Sequence, residues 1–275
     1  MITVQEDRES TDRQLPKPSS LSLKRNLHLS LKALPRESNG FHKIQCKFER
    51  IELKGQFDDQ PIHYDSDRDQ PGKGNAIADL LSNIVGVKFH ISITPEGVFK
   101  QLSGLDATWR AKGLLIAPAP MLGIQFLFRD QAMLQLLTAT LSPPLPPDTS
   151  IKGFTYQHRQ PVEIPFVALL VWPATFTITG NERINGGTCV HIIAKGDIKT
   201  ARLPGDIGKA GLRASVVKGH RQSDLYISPD AREVIRNEIT HKLALSVKLN
   251  PPAGGDSPIM DLRQQITIVA TRLKN

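Results

Sequence analysis

The chain has 275 residues, with 35 Lys plus Arg against 27 Asp plus Glu, a formal net charge of +8 and 39% hydrophobic residues. That length can bury a sizeable core, and this balance of apolar and charged residues excludes general disorder. Two cysteines, Cys46 and Cys189, exclude a disulfide-stapled mini-fold and a zinc site of four thiolates.

The positive charge is uneven. Residues 195–275 hold 14 basic and 8 acidic side chains, an excess of +6, against +2 in the first 194. Such a C-terminal third attracts anionic surfaces at long range. Its charges are single and dispersed, without aromatic interleaving, so they read as a solvated basic surface and nucleic acid is not an expected partner. Residues 1–18 contain no apolar stretch of signal-peptide length. The longest apolar run, 166–172, is too short to span a bilayer, so no transmembrane segment is expected. Export would need a signal upstream of Met1. The expected location is therefore the cell envelope or periplasm with such a signal, and the cytoplasm without one.

Residues 1–19 mix Glu, Asp, Arg, Ser and Pro without periodicity and read as a flexible tail. Residues 20–275 read as a single β-rich domain with a weak two-part symmetry. Over 20–34, Leu21, Leu23, Leu27, Leu29 and Leu31 fall on one face, the period of a half-buried strand. A second strand over 41–53 changes phase at Arg50–Ile51, which predicts a bulge or bend. A short strand at 61–64 and a polar loop at 65–75 follow. Ile77, Leu80, Leu81 and Ile84 then sit at helical spacing, with Gly86 as the stop. Residues 87–93 and 98–102 form a hairpin around Thr94-Pro95-Glu96-Gly97. A second helix is predicted over 131–140, with Asp130 as its N-cap and Ala132, Met133, Leu136 and Leu137 as its apolar stripe. The prolines of 143–147 end it.

The remainder reads as strand: 153–160, 167–179, 188–194, 214–217 and 225–227. After these, 235–249 alternates for fifteen residues and pairs with 259–272. Long one-sided strands joined by hairpins mean an antiparallel sheet with one wet face. The expected fold is mainly β, as β-rich α+β. Its long curved antiparallel sheet, half-barrel-like, is capped by one or two short helices.

Chemistry-bearing motifs are sparse. Asp65-Ser66-Asp67-Arg68-Asp69 has alternating acids, but Gln70 and Ala76 stand where a calcium loop of the EF-hand type needs Gly and Glu. Gly72-Lys73-Gly74-Asn75 lacks the glycine spacing of a phosphate loop. The eight histidines, His90 and His191 among them, show no metal-binding pair, and no nucleophile elbow occurs. Cys46 and Cys189 read as buried free thiols. No catalytic, metal or cofactor residue is therefore nominated. Trp109, Trp172, Phe166 and Phe176, with the uncharged stretch 113–128, read as core. The sharper alternative makes Leu115, Ala117, Phe126, Phe166 and Trp172 the lining of an apolar ligand cavity.

The order of features resembles an uncharacterised family of typically exported bacterial β-rich proteins, a domain of unknown function. The resembling parts are 87–93 with Pro95-Glu96-Gly97-Val98 and Gly104-Leu105, then Leu145-Pro146-Pro147 with Gly153-Phe154. The span 184–191 around Gly186-Gly187 and Leu225-Tyr226-Ile227-Ser228-Pro229 before the long strand complete the set. The resemblance implies export and supplies no catalytic residue. A curved sheet whose apolar face is partly covered by helices has a lipid-binding shape, so the expected role is non-enzymatic, with an apolar small molecule or an envelope protein as partner in the cell envelope. Two alternatives stand beside it. One is an enzyme with a site of scattered polar residues; the other is a binder of anionic surfaces through residues 195–275.

Overall fold

A computed structural model describes residues 1–12, 19–35, 40–95, 97–114, 119–145, 151–164, 168–184, 186–201, 212–230, 233–249 and 259–272. The fold is mainly β: a curved antiparallel sheet capped by a few short helices. In chain order the elements are β1 (Ile2–Asp12), β2 (Ser19–Ala33), β3 (His42–Phe57), β4 (Gln60–Asp65), α1 (Ala76–Leu81), β5 (Lys88–Ile93), β6 (Phe99–Ser103), α2 (Leu105–Ala111), α3 (Ala119–Phe126) and α4 (Asp130–Leu141). There follow β7 (Thr155–Ile164), β8 (Ala168–Ile184), β9 (Gly187–Asp197), β10 (Lys199–Thr200), β11 (Leu212–Ile227), β12 (Val234–Leu249) and β13 (Ile259–Thr271). Internal contacts divide the chain into two compact units where the alternation suggested one domain. Unit 1 holds Met1–Thr3, Lys24–Gly55 and Pro61–Pro143; unit 2 holds Val4–Leu23, Gln56–Gln60 and Pro144–Asn275.

In unit 1 the strands run in the order β2-β3-β5-β6, with β4 on β3. The expected phase change is present: Cys46 and Phe48 are buried, and then Ile51 and Leu53. Phe48 bridges Val85, and its carbonyl accepts from Gly86 N at 2.9 Å, which ties the end of the α1 segment to β3. Asn75 caps α1, its side chain accepting from the Ile77 and Ala78 amides. Four helices stand where one or two were expected. α3 begins at Ala119 and so carries Pro120 in its first turn, where proline is tolerated.

Asp130 does not act as the N-cap of α4. Its carboxylate accepts from the Leu105 and Asp106 amides at 2.9 and 3.3 Å, so it caps α2, while Asp106 pairs with Arg129 at 2.7 Å. Partial burial raises the Asp130 pKa, against those amide bonds. The α4 stripe itself is as predicted, with Met133 and Leu137 fully buried. Phe48 packs on Phe89 and edge-on to Phe128, at 5.1 and 5.9 Å between centroids, and Trp109 Nε1 donates to the Phe128 carbonyl. Buried aromatics with their one polar atom satisfied are what a stable core requires.

In unit 2 the order is β10-β8-β9-β11-β12-β13-β1-β2, with β7 on β8. Residues 2–12, read as part of a flexible tail, form β1. Ile2 and Val4 are buried, and so is Glu6, whose charge at an inward position disguised the alternation. The two short segments 214–217 and 225–227 are parts of one strand, β11, continuous through polar residues. A bulge between Val216 and Lys218 displaces Val217 outward, so that Ala214 and Val216 and then Gly219 and Arg221 share the inner face. The β12–β13 hairpin has the expected pairing, Leu245 opposite Leu262.

The core of unit 2 lies on this inner face: Trp172 and Phe176 of β8, Val190 and Ile192 of β9, Leu225 and Ile227 of β11, Leu243, Leu245 and Val247 of β12, and Leu262 of β13. Tyr156 stacks on Phe176 at 4.9 Å and donates its hydroxyl to the Pro144 carbonyl. Gly196 is required where it stands, since an added Cβ would meet the Pro173 carbonyl oxygen at 2.2 Å and Trp172 Nε1 at 3.0 Å.

Candidate functional site

The described residues of unit 2 form a trough of about 900 Å³. Most of its lining side chains lie on the solvent side of the sheet, with Leu243 and Gln264 of the inner face also contributing. Because antiparallel partners point the same way, His220, Lys242 and Gln265 make one row, and Lys218, Ala244 and Arg263 make the next. Across the strand order stand Asp7 and Glu9 of β1, Ser20 and Ser22 of β2, and Gln56, Asp58 and Asp59 at the β3–β4 turn. One wall is therefore basic; the other is mainly acidic, with Arg8 of β1 also in the lining between Asp7 and Glu9.

The acidic wall is built rather than loose. Ser22 Oγ donates to Asp7 at 2.6 Å, and the Ser20 amide donates to Asp58 at 2.7 Å while the Asp58 amide returns a bond to the Ser20 carbonyl. Asp58 has φ 49°, a left-handed conformation that Asp tolerates in a two-residue hairpin turn. On the basic wall His220 Nδ1 lies 3.1 Å from Asp197. Lys218, Lys242 and Arg263 point their charges to solvent.

The inner face of unit 2 carries a second polar group. Arg221 and His241 are cross-strand partners, buried at 6% and 7% exposure, and the Arg221 guanidinium carbon stands 4.4 Å from the Trp172 ring. Ser223 Oγ donates to Asn237 nearby on the same two strands, and Gln264 Nε2 donates to Glu6 at 2.8 Å. Burial pulls His241 down to about 4, with the Arg221 charge adding to the fall and Glu6 opposing it.

The residues nominated from the sequence fare unevenly. Leu115, Ala117 and Phe166 lie outside the described residues. Phe126 is half-buried on α3 in unit 1, and Trp172 belongs to the packed core of unit 2. The acidic loop is tied up as a turn. Asp65 accepts from Arg50 Nε and Nη2 at 3.2 and 2.9 Å and from the Asp67 amide, and Asp69 accepts from the Asp65 amide. The Arg50 hydrogen bond holds the Asp65 carboxyl below its ordinary pKa. No metal-holding cluster occurs among the described residues. At the glycine loop, the Gly72 amide donates to Asp79, an acid where a phosphate site would want none. His191 stacks on Tyr226 between Glu182 at 2.8 Å and Asp224 at 3.3 Å, both its nitrogens engaged. Cys46 and Cys189 are both buried and free, and desolvation pushes Cys46 up to about 12, far from a reactive thiolate.

Reading the alternation did not find the trough, whose walls come from distant strands. For Arg221 and His241 a signal existed: His241 sits between Ile239 and Leu243 in the apolar phase of β12.

Among known proteins, no family model and no curated protein matches this chain. A solved chain described as "Lipid-protein interactions in lipovitellin" aligns with all of this chain and 26% of its own length, at 12% identity and a TM-score of 0.40. Identity and score that low transfer neither ligand nor function.

Proposed function

We propose that this chain is a non-enzymatic binding protein of the cell envelope whose partner docks in the unit-2 trough. The location rests on the resemblance to exported β-rich bacterial proteins. The binding role rests on one observation, a 900 Å³ trough with a basic wall of Lys218, Lys242 and Arg263 facing an acidic wall of Asp7, Glu9, Asp58 and Asp59. Opposed charged walls suit an extended polypeptide segment that carries both signs, because each wall rejects the misplaced charge and so fixes register.

The test is site-specific crosslinking. A photoreactive residue replacing Ala244 should give a discrete adduct in an envelope extract, while one replacing Thr240, exposed but outside the trough, should not. Lys242→Glu with Arg263→Glu should abolish the adduct. Diffuse labelling from both positions overturns the reading. A second reading, docking on anionic surfaces, is favoured by the fact that all three basic-wall residues belong to the 195–275 segment. Salt-sensitive binding to anionic vesicles, lost in the same double variant, would put it first.

A further inference from the structure

A guanidinium stranded in a protein interior keeps its charge, since it cannot deprotonate at neutral pH. Arg221 is in that position. Its only shift is downward, to about 10, caused by desolvation with no carboxylate raising it, so it stays charged at pH 7 without a counter-ion among the described residues. Its Nε has no hydrogen-bond partner there, and neither has Nε2 of His241, the residue directly opposite on β12. The Trp172 face, 4.4 Å from the guanidinium carbon, offsets only part of the cost of burying an isolated charge. Glu6 bonds to Gln264 at 2.8 Å and Arg8 at 2.5 Å, and its charge acts on His241, but no ion pair joins it to Arg221.

We propose that Arg221 and His241 form an oxyanion-binding site on the inner face of unit 2, taking a carboxylate or a phosphate group. The chemistry is that of a charge-assisted fork. Guanidinium N–H groups pair with two oxygens of the anion, and a neutral imidazole donates one further hydrogen bond from Nε2. Trp172 holds the guanidinium plane while Gly196, whose carbonyl accepts from Trp172 Nε1 at 3.1 Å, holds the indole. Neither Arg221 nor His241 is among the residues that line the trough. Two sources share this chemistry: a free small anion, and the head of an amphiphile whose tail would lie along the apolar inner face.

Trp172 is its own reporter. In a Trp109→Phe background it is the sole indole, and the full chain is titrated with sodium acetate, sodium phosphate and sodium laurate at constant ionic strength. The expected result is a saturable change in Trp172 emission and a rise in Tm with anion concentration. Both should weaken at least tenfold in Arg221→Met. Laurate binding far better than acetate identifies an amphiphile head; comparable acetate, phosphate and laurate binding identifies a free oxyanion. Should a variant fail to fold, calorimetric titration of the unsubstituted chain reads the same binding, with His241→Gln as the second substitution. No saturable response to any of the three anions, or an equal response in Arg221→Met, overturns the proposal.

Discussion

His241 shows how one buried side chain sets a pH dependence for the whole unit. An imidazole that ordinarily titrates near 6.5 is held at about 4 in the folded chain, chiefly by desolvation and next by the neighbouring Arg221 charge. Its folded pKa is depressed, so between those values the unfolded chain binds the proton and the folded chain does not. The stability it contributes is full above pH 6.5, falls as pH drops through 6.5 towards 4, and levels off below. The span corresponds to about 3 kcal/mol. Urea midpoints at pH 7, 5 and 4 should show this slope in the parent and a much flatter one in His241→Gln. Equal slopes would mean that His241 is hydrated. Asp65, whose carboxyl is held low by Arg50, loses its contribution only below the ordinary carboxylate range, so the two windows separate.

At the scale of the element, β12 tests the two-sided strand. Leu245 packs in the unit-2 core while its neighbour Ser246 faces the other way, in register with Ser215 and Asp261. Leu245→Asp buries an unpaired charge and should cost at least about 3 kcal/mol. Ser246→Asp places an acid opposite Asp261 on the wet face and should cost about 1 kcal/mol or less. Chemical denaturation of the two variants separates the faces, and similar losses would remove the assignment. Much of β12 was legible beforehand, since fifteen alternating residues leave little choice of structure. What the alternation did not declare is that its inner face is apolar at one end and polar at the other, with Asn237 and His241 in phase with the leucines. A polar residue in an apolar phase looks like an interruption until its partner strand is known. The same blindness hid β1, where Glu6 occupies an inward position, and split β11 into two at Arg221.

At the scale of the whole molecule, β1 and β2 each have residues in both compact units, with Ile2 in unit 1 and Val4 and Glu6 in unit 2. Deleting residues 1–12 should therefore weaken both. Burying Ile2 and Val4 alone is worth about 3 kcal/mol or more, and the deletion also strips Gln264 of its acceptor. The two tryptophans divide the readout, Trp109 reporting unit 1 and Trp172 unit 2. In single-tryptophan chains, both unfolding midpoints should drop on deletion. An unchanged pair of midpoints would restore the reading of this segment as a dispensable tail.

By itself the amino-acid order determined most of the strands, though not β1 or the continuity of β11, and with them the hairpins around Gly97 and between β12 and β13, the phase change in β3 and the apolar stripe of α4. Each follows from side-chain periods of two or 3.6 and from turn residues, which are local properties that a single segment carries complete. Only the tertiary structure decided that Asp130 caps α2, that Asp7 and Asp58 face Lys242 and Arg263 across a trough, and that Arg221 meets His241 beneath Trp172. These depend on lateral order and register among strands far apart in the chain. A period of two says which side a residue faces; it says nothing about which strand lies beside it, and the functional chemistry of this protein is made between strands.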